Sequence, residues 1–376
     1  MNEQIEPSSV AFFLGAGASV AAEVPHTYAF VDEFQKNIKE PGKRKVLDAV
    51  ISKLEKWRGS KIDIELLLET LTKLQKKDEE PLLQFFKSEF LLKGYSEKEP
   101  LINDLKDFIK KKTIVSEEKI IYLQPLLDFI SELKSVDIVS LNYDTCIEQF
   151  CNAHKLIYQD GFDVHWNPKT FGSENTDIRL YKLHGSVMWY HTDRGNYIKL
   201  PVMTEESKIR LITGESADNL MLYPMQKWDY AEPLLELLVL VKQILESNKC
   251  KTVIVVGYSF RDEHITRMLW DSARRNKDLH VVLVDPHAFD VYADKLKYYD
   301  KDAKIPSSLD GRVICLPYHF EKILPFLKNY YLKNLIEGLA KEAELRAAKS
   351  RGEMQELTWL PVLRLLANAE FPSVSI

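Results

Sequence analysis

The stretch VAFFLGAGASVAAEVPH, residues 10–26, decides the fold. Five apolar residues run straight into Gly15-Ala16-Gly17, with Ser19 close behind. A buried strand that ends in glycines and turns into a helix sets backbone N–H groups at a helix start. Missing Cβ atoms let an anionic group such as a pyrophosphate come close, and the helix dipole favours its charge. Ser19 is placed to cap that helix or to donate to a phosphate. The third glycine of the common dinucleotide fingerprint is absent, since Val20 stands there, and no acid marks the end of a second strand about twenty residues on. Alone, the glycine run fits a tight structural turn as well as a nucleotide loop.

Working outward, strand-like runs recur at DIVSLN (137–142), IRLYKL (178–183), TVIVVG (252–257), HVVLVD (280–285) and RVICL from Arg312. Most are short, β-branched and apolar on both faces, as in strands covered by helices on two sides. Helical stretches alternate with them: DTCIEQFCNAHK (144–155), YAEPLLELLVLVKQILES (230–247) and DEHITRMLWDSARRN (262–276). This alternation predicts a doubly wound parallel α/β sheet. Residues 41–135 break the pattern. The windows KIDIELLLETLTKLQKK, EPLLQFFKSEFLL and EKIIYLQPLLDFISELK follow one another with no strand signal. The expected division is a sheet domain from 1–40 and 136–317, an inserted helical module over 41–135, and a helical C-terminal segment over 318–376 suited to oligomerisation.

Composition narrows the class. The chain has 376 residues, 45% of them hydrophobic and 28% charged, with a net charge of -5. No apolar segment is long enough to span a membrane, and MNEQIEPSSV lacks a secretory pattern. Cys146, Cys151, Cys250 and Cys315 have no disulfide-like or CxxC spacing. A reduced, cytoplasmic protein is expected. Lysine runs such as KLQKKDEE are broken by acids, so no direct nucleic-acid surface is expected.

Polar clusters close the strands, where an open α/β sheet builds its site. The second strand ends in Asn142 and Asp144, the third in His184, Gly185 and Ser186, the fourth in Gly257 and Ser259, and the fifth in Asp285. Each has a plain structural alternative. Asn142 or Asp144 fits a helix cap, His-Gly fits a turn, and Ser259 with Asp262 resembles a capping arrangement. Chance accounts well for one such cluster and poorly for four.

In this order GAGAS (15–19), LNYD (141–144), LHGS (183–186) and GYSF (257–260) resemble the sirtuin-type NAD-binding domain, with its Rossmann-like sheet. The likeness is closer to bacterial sirtuin-like proteins of anti-phage defence systems. Pro25 also stands at the sirtuin spacing from the glycine loop. The resemblance implies that Gly15, Ala16, Gly17 and Ser19 hold the phosphates. It places Asn142 and Asp144 against the nicotinamide ribose and amide, makes His184 the catalytic histidine, and sets Gly257 and Ser259 on the adenosine side. Asp285 is added from its strand-end position, as an adenine-ribose contact.

The departures matter as much. His26, Thr27 and Tyr28 replace the Asp-Phe-Arg of deacylating sirtuins, and Leu141 replaces the usual glutamine. Only Cys250 lies between His184 and Gly257, so no four-cysteine zinc ribbon is expected. NAD is thus expected as substrate, without zinc, and with water attacking the ribose in place of an acyl-lysine. His184 would contact the ribose hydroxyls and act as general base, since a histidine's ordinary pKa near ~6.5 suits that work. Asn142 would orient the amide or the water, and Asp144 the ribose or the developing cation. Cyclisation of the product, protein deacylation or ADP-ribosylation, and a sensor that binds without turnover are the competing readings. The helices over 41–135 and at the C-terminus suit assembly into a symmetric homo-oligomer, and the resemblance implies a separate defence partner, a HerA-like hexameric ATPase ahead of a short Argonaute or a phage structural protein.

Other candidates carry less. The remaining histidines have no ligand-like spacing. RDEH (261–264) places Arg261 beside a phosphate or at a surface helix start. MWYH (188–191) and YPMQKWDY (223–230), including Tyr223 and Trp228, are aromatic clusters that wall a pocket or fill a core.

Overall fold

A computed structural model of the protein describes residues 8–75, 101–200, 206–221, 231–292, 312–328 and 332. Its strands are β1 (Val10–Leu14), β2 (Val136–Ser140), β3 (Tyr158–Gln159), β4 (Ile178–Lys182), β5 (Gly185–Thr192), β6 (Tyr197–Lys199), β7 (Lys208–Arg210), β8 (Ser216–Met221), β9 (Thr252–Val256), β10 (His280–Val284) and β11 (Val313–Leu316). Seven form one parallel sheet in the order β11-β10-β9-β1-β2-β4-β3. Every residue of β1, β2, β4 and β9 is buried, as their two-sided apolar sequences predict. β1 lies at the centre, with Phe12 opposite Ile138 on one side and Ile254 on the other. The chain leaves β1 toward β2 and later returns with β9 on its other flank, so the switch of direction falls at the end of β1. The fold is a Rossmann-like sheet with surrounding helices.

Among the described residues the interval between β1 and β2 is helical. Its helices are α1 (Thr27–Asn37), α2 (Pro41–Arg58), α3 (Ile64–Gln75), α4 (Leu101–Thr113) and α5 (Leu126–Leu133), with a 3-10 segment at Glu117–Leu123. α2 starts with Pro41 and stops at Gly59, whose φ is 71°, as proline at a helix start and glycine just past its end favour. Pro125 separates the 3-10 segment from α5 because it lacks an N–H to continue the turns. Phe108 of α4 packs against Phe30 and Phe34 of α1, and Phe12 meets Phe129 of α5 edge to face. These helices share one continuous apolar core with the sheet. The rest of the sheet is covered by α6 (Cys146–His154), α7 (Glu236–Glu246) and α8 (Glu263–Arg275), with a short α9 (Phe320–Ile323) after β11.

A second sheet was not foreseen. Strands β6-β5-β8-β7 form it, antiparallel throughout. Trp189 and Tyr190 of MWYH are buried in β5, so this cluster is core. Lys110 of α4 is also fully buried here; its Nζ donates to Tyr190 Oη and, at 2.8 Å, to the carbonyl of Glu206. Burial lowers its pKa to about 8. Inside the main sheet Asp137 accepts from Arg179 Nε at 2.7 Å and from the amide of Ser8 at 2.6 Å.

The windows EPLLQFFKSEFLL and YPMQKWDY, with Tyr223 and Trp228, lie outside the described residues, as does most of the C-terminal segment beyond Lys328. Among the described residues no helix is long and apolar enough to cross a membrane, and no three His, Cys, Asp or Glu side chains are grouped to hold a metal ion.

Candidate active site

A cavity of about 810 Å³ opens at the carboxyl ends of β1, β2, β4, β9 and β10. Gly15, Ala16, Gly17, Ser19, Asn142, Asp144, His184, Gly257, Ser259 and Asp285 all line it. The position follows from topology, because helices on either side of a switch point diverge and leave a crevice.

The glycines work differently from the sequence expectation. Residues Ala16–Ala22 form 3-10 turns instead of an α-helix, and the leading amides are not bare. Gly15 N–H donates to the Val256 carbonyl at 2.8 Å, Gly17 N–H to the Gly257 carbonyl at 3.0 Å, and Ala18 N–H to the Gly15 carbonyl at 3.0 Å. A Cβ on Gly17 would lie 2.6 Å from the Gly257 Cα, and one on Gly257 would lie 2.3 Å from the Gly17 Cα. The bare backbone therefore lets the loops after β1 and β9 press against each other and form the cavity floor.

Asn142, Ser19 and Asp144 make one chain. Asn142 Nδ2 donates to the Gly15 carbonyl at 2.9 Å and to Ser19 Oγ at 3.0 Å; Ser19 Oγ donates to Asp144 Oδ2 at 2.6 Å. A carbonyl can only accept, so the amide NH₂ must face Gly15, and Asn142 keeps its Oδ1 acceptor for a ligand or water. Asp144 Oδ1 accepts from the Cys146 amide at 3.1 Å. One carboxylate oxygen thus holds the amide at the start of α6 and the other holds Ser19. Behind Asp144, buried Lys182 donates to its backbone carbonyl and pairs with buried Glu148 at 2.9 Å.

His184 is 3% exposed. Its Nε2 lies 3.2 Å from Asp262 Oδ2, and its Nδ1 is buried without a hydrogen-bond partner among the described residues. Asp262 alone caps α8, taking the amides of His264 and Ile265 on Oδ1; Ser259 Oγ instead accepts from Arg261 Nε at 3.0 Å. Arg261 is turned toward the roof of the cavity. It donates to Thr27 Oγ1 at 2.9 Å, Tyr28 Oη at 3.1 Å and Asp63 Oδ2 at 2.8 Å, with its guanidinium over the Tyr28 ring. Thr27 and Tyr28 stand where the deacylating pattern has Phe and Arg, so this substitution builds a roof contact. Asp285 accepts the His287 amide at 2.8 Å at the far end.

Glu65 of α3 is a lining residue that the sequence reading missed. Burial raises its pKa, while His184 and Arg261 pull the other way. A lone Glu in a leucine-rich helix reads as its solvent face, and nothing local marks it as lining. The acidic residues Glu65, Asp144, Asp262, Asp285 and Glu321 line the cavity together with Arg261 and four histidines. Among the described residues no cysteine lines the cavity; burial pushes the thiols of Cys250 and Cys315 up to about 12 and about 11.

Residues 136–304 match the family model described as SIR2-like domain, so this stretch is sirtuin-like. The glycine loop and the helices before β2 lie outside the match. Among solved structures, a crystal structure of a Sir2 homolog–NAD complex aligns over 88% of this chain and 91% of that one, at 12% identity and a TM-score of 0.41. A histidine-to-asparagine variant of a Sir2 homologue with ADP-ribose aligns over 91% and 95%, at 12% identity and a TM-score of 0.40. A Sir2 complex with the inhibitor EX-527, 2'-O-acetyl-ADP-ribose and deacetylated p53 peptide aligns over 85% and 91%, at 12% identity and a TM-score of 0.38. No curated protein matches the chain in sequence.

Proposed function

We propose that the cavity binds NAD and that the protein hydrolyses its nicotinamide–ribose bond, releasing nicotinamide and ADP-ribose. One observation carries this reading: residues from five strand ends, chosen for their chemistry, border a single cavity. Its volume sits in the upper part of the range of small-molecule sites, roughly 300–1,000 Å³. The sirtuin-like match over residues 136–304 supports the same ligand.

The lining suits this chemistry. Bond cleavage builds oxocarbenium character at the anomeric carbon, and the electron pair returns to the nicotinamide nitrogen and neutralises its ring. No strong acid is needed for such a leaving group. Fixed carboxylates around a cation stabilise the charge as it moves from ring to ribose. Asp144, clamped by Ser19 and the Cys146 amide, supplies one of them. Asn142 Oδ1 accepts a hydrogen bond from the attacking water and orients it, without taking its proton. His184 takes the proton released as the new C–O bond forms. The diphosphate is met by the 3-10 turns at 16–22 and by neutral donors, because the amides of Gly15 and Gly17 are already bonded.

The reading extends to the cell. Unrestrained NAD loss halts growth, which suits anti-phage defence in the cytoplasm. The helices over 41–135 and the segment from 318 are the surfaces on which a homo-oligomer or a HerA-like ATPase would restrain the activity.

The test follows nicotinamide and ADP-ribose when purified protein meets NAD, with and without an acyl-lysine peptide. Peptide-independent NAD loss is expected. His184→Ala and Asn142→Ala should abolish it while keeping a wild-type circular dichroism spectrum. Tight ADP-ribose binding with no turnover, even with the partner present, would make the protein a sensor; peptide-dependent turnover would make it a deacylase.

A further inference from the structure

His184 and Asp262 reach the cavity from different parts of the chain, and their contact settles which imidazole nitrogen is available for chemistry. Asp262 is not free to turn. Its Oδ1 is held by the amides of His264 and Ile265 at 3.1 and 3.2 Å, and its backbone carbonyl accepts from Tyr258 Oη at 3.1 Å and from the Thr266 amide at 2.9 Å. Its second oxygen, Oδ2, is thereby aimed at His184 Nε2, 3.2 Å away. A carboxylate oxygen can only accept, so in the neutral imidazole the proton sits on Nε2 and the lone pair on Nδ1. Nδ1 is buried and has no donor among the described residues. Buried acceptors left without a donor are uncommon in native proteins, and a ligand is one of the few explanations for one.

We propose that Asp262 is the positioning residue for His184: it pins the proton on Nε2 and reserves Nδ1 for a proton from a ribose hydroxyl or the attacking water. The identity of that donor rests on the NAD-hydrolase reading; the choice of nitrogen does not. In the step itself an O–H proton passes to Nδ1 as oxygen bonds to the anomeric carbon, and the pair from the broken C–N bond goes to nicotinamide. The imidazolium that forms keeps its other N–H on Asp262, whose negative charge offsets it. Sequence alone disguised this role, because an Asp opening a helix is accounted for by its cap.

Asp262→Asn tests the proposal without removing the cap. The α8 amides need an acceptor, so the asparagine oxygen must face them, which turns its NH₂ toward Nε2 and drives the ring proton to Nδ1. Asp262→Ser also caps a helix but removes the carboxylate. With ¹⁵N-labelled histidine, His184 being assigned by its loss in His184→Gln, wild-type protein should show the Nε2-protonated tautomer and Asp262→Asn the Nδ1-protonated one. The kcat for NAD loss should fall on the order of 10² to 10⁴-fold in Asp262→Asn, as when the partner of a histidine base is neutralised elsewhere, and Asp262→Ser should be impaired too. A wild-type His184 protonated on Nδ1 overturns the proposal, as do both variants keeping kcat within about threefold of wild type. If wild-type protein leaves NAD untouched but the tautomer switches as described, the hydrolase reading fails and the role of Asp262 stands. If Asp262→Asn does not fold, the wild-type tautomer and Asp262→Ser decide.

Discussion

Gly257→Ala would test whether the cavity floor is a backbone-to-backbone contact. Gly257 has a φ of +56°, and a Cβ there would meet Gly17 Cα, C and N at 2.3, 2.6 and 2.7 Å. None of these atoms belongs to a side chain that can swing aside. To restore ordinary contact the two loops must part by about 1 Å, an overpacking strain that typically costs 1–3 kcal/mol. The left-handed conformation adds about 1–2 kcal/mol for a residue with a Cβ. Gly59→Ala isolates the second contribution, since Gly59 has a φ of +71° and nothing within 4 Å of its added methyl. Urea unfolding should therefore place Gly59→Ala about 1–2 kcal/mol below wild type and Gly257→Ala lower again by about 1–3 kcal/mol. Gly257→Ala should also weaken ADP-ribose binding by calorimetry, whereas Gly59→Ala should not. Equal stability losses in the two variants, with equal binding, would refute the weld between the two loops.

Lys182→Met strands the buried Glu148 carboxylate and should cost about 3–5 kcal/mol by urea unfolding, with Lys182→Met/Glu148→Leu recovering most of it. Lys110 gives a pH dependence of known sign. Its folded pKa is near 8, below the ordinary 10.5, so between those values the unfolded chain holds the extra proton. Stability should then rise as pH climbs from about 8 to 10, and Lys110→Met should flatten that rise in a series of urea midpoints. Arg261→Met removes the donors to Thr27, Tyr28 and Asp63. It should raise protease susceptibility of the α1–α3 region and weaken ADP-ribose binding about tenfold or more, while the melting midpoint moves only a few degrees.

Six of the seven strands of the main sheet were legible because a strand buried on both faces needs an unbroken apolar run, and VAFFL, TVIVV and HVVLV have little other use; the two-residue edge strand β3 offers no such run. Its site was legible for a related reason: polar residues directly after such runs have only the carboxyl edge to occupy. Asn142, His184 and Asp285, read in that way, line one cavity. The antiparallel sheet escaped because β6 and β7 are three residues long and β5 begins inside the LHGS motif, where chemistry competes with periodicity for the same letters. Glu65 and the roof contacts of Arg261 escaped for a different reason. They depend on how α3 and the start of α1 lie over the sheet, and no local pattern encodes a docking angle. Expecting the glycine run to offer bare amides failed because a loop can spend its missing side chains on a neighbouring loop as readily as on a ligand.

The two sides of the cavity differ in kind. Below, main chain abuts main chain between two hydrogen-bonded strands, and nothing there can yield without unzipping the centre of the sheet. Above, at the mouth, Arg261 reaches across to one carboxylate and two hydroxyls, side-chain contacts that can be undone and remade at less cost than a main-chain weld. If the cavity takes NAD as proposed, the opening that costs least lies on the helical side, across the contacts of Arg261.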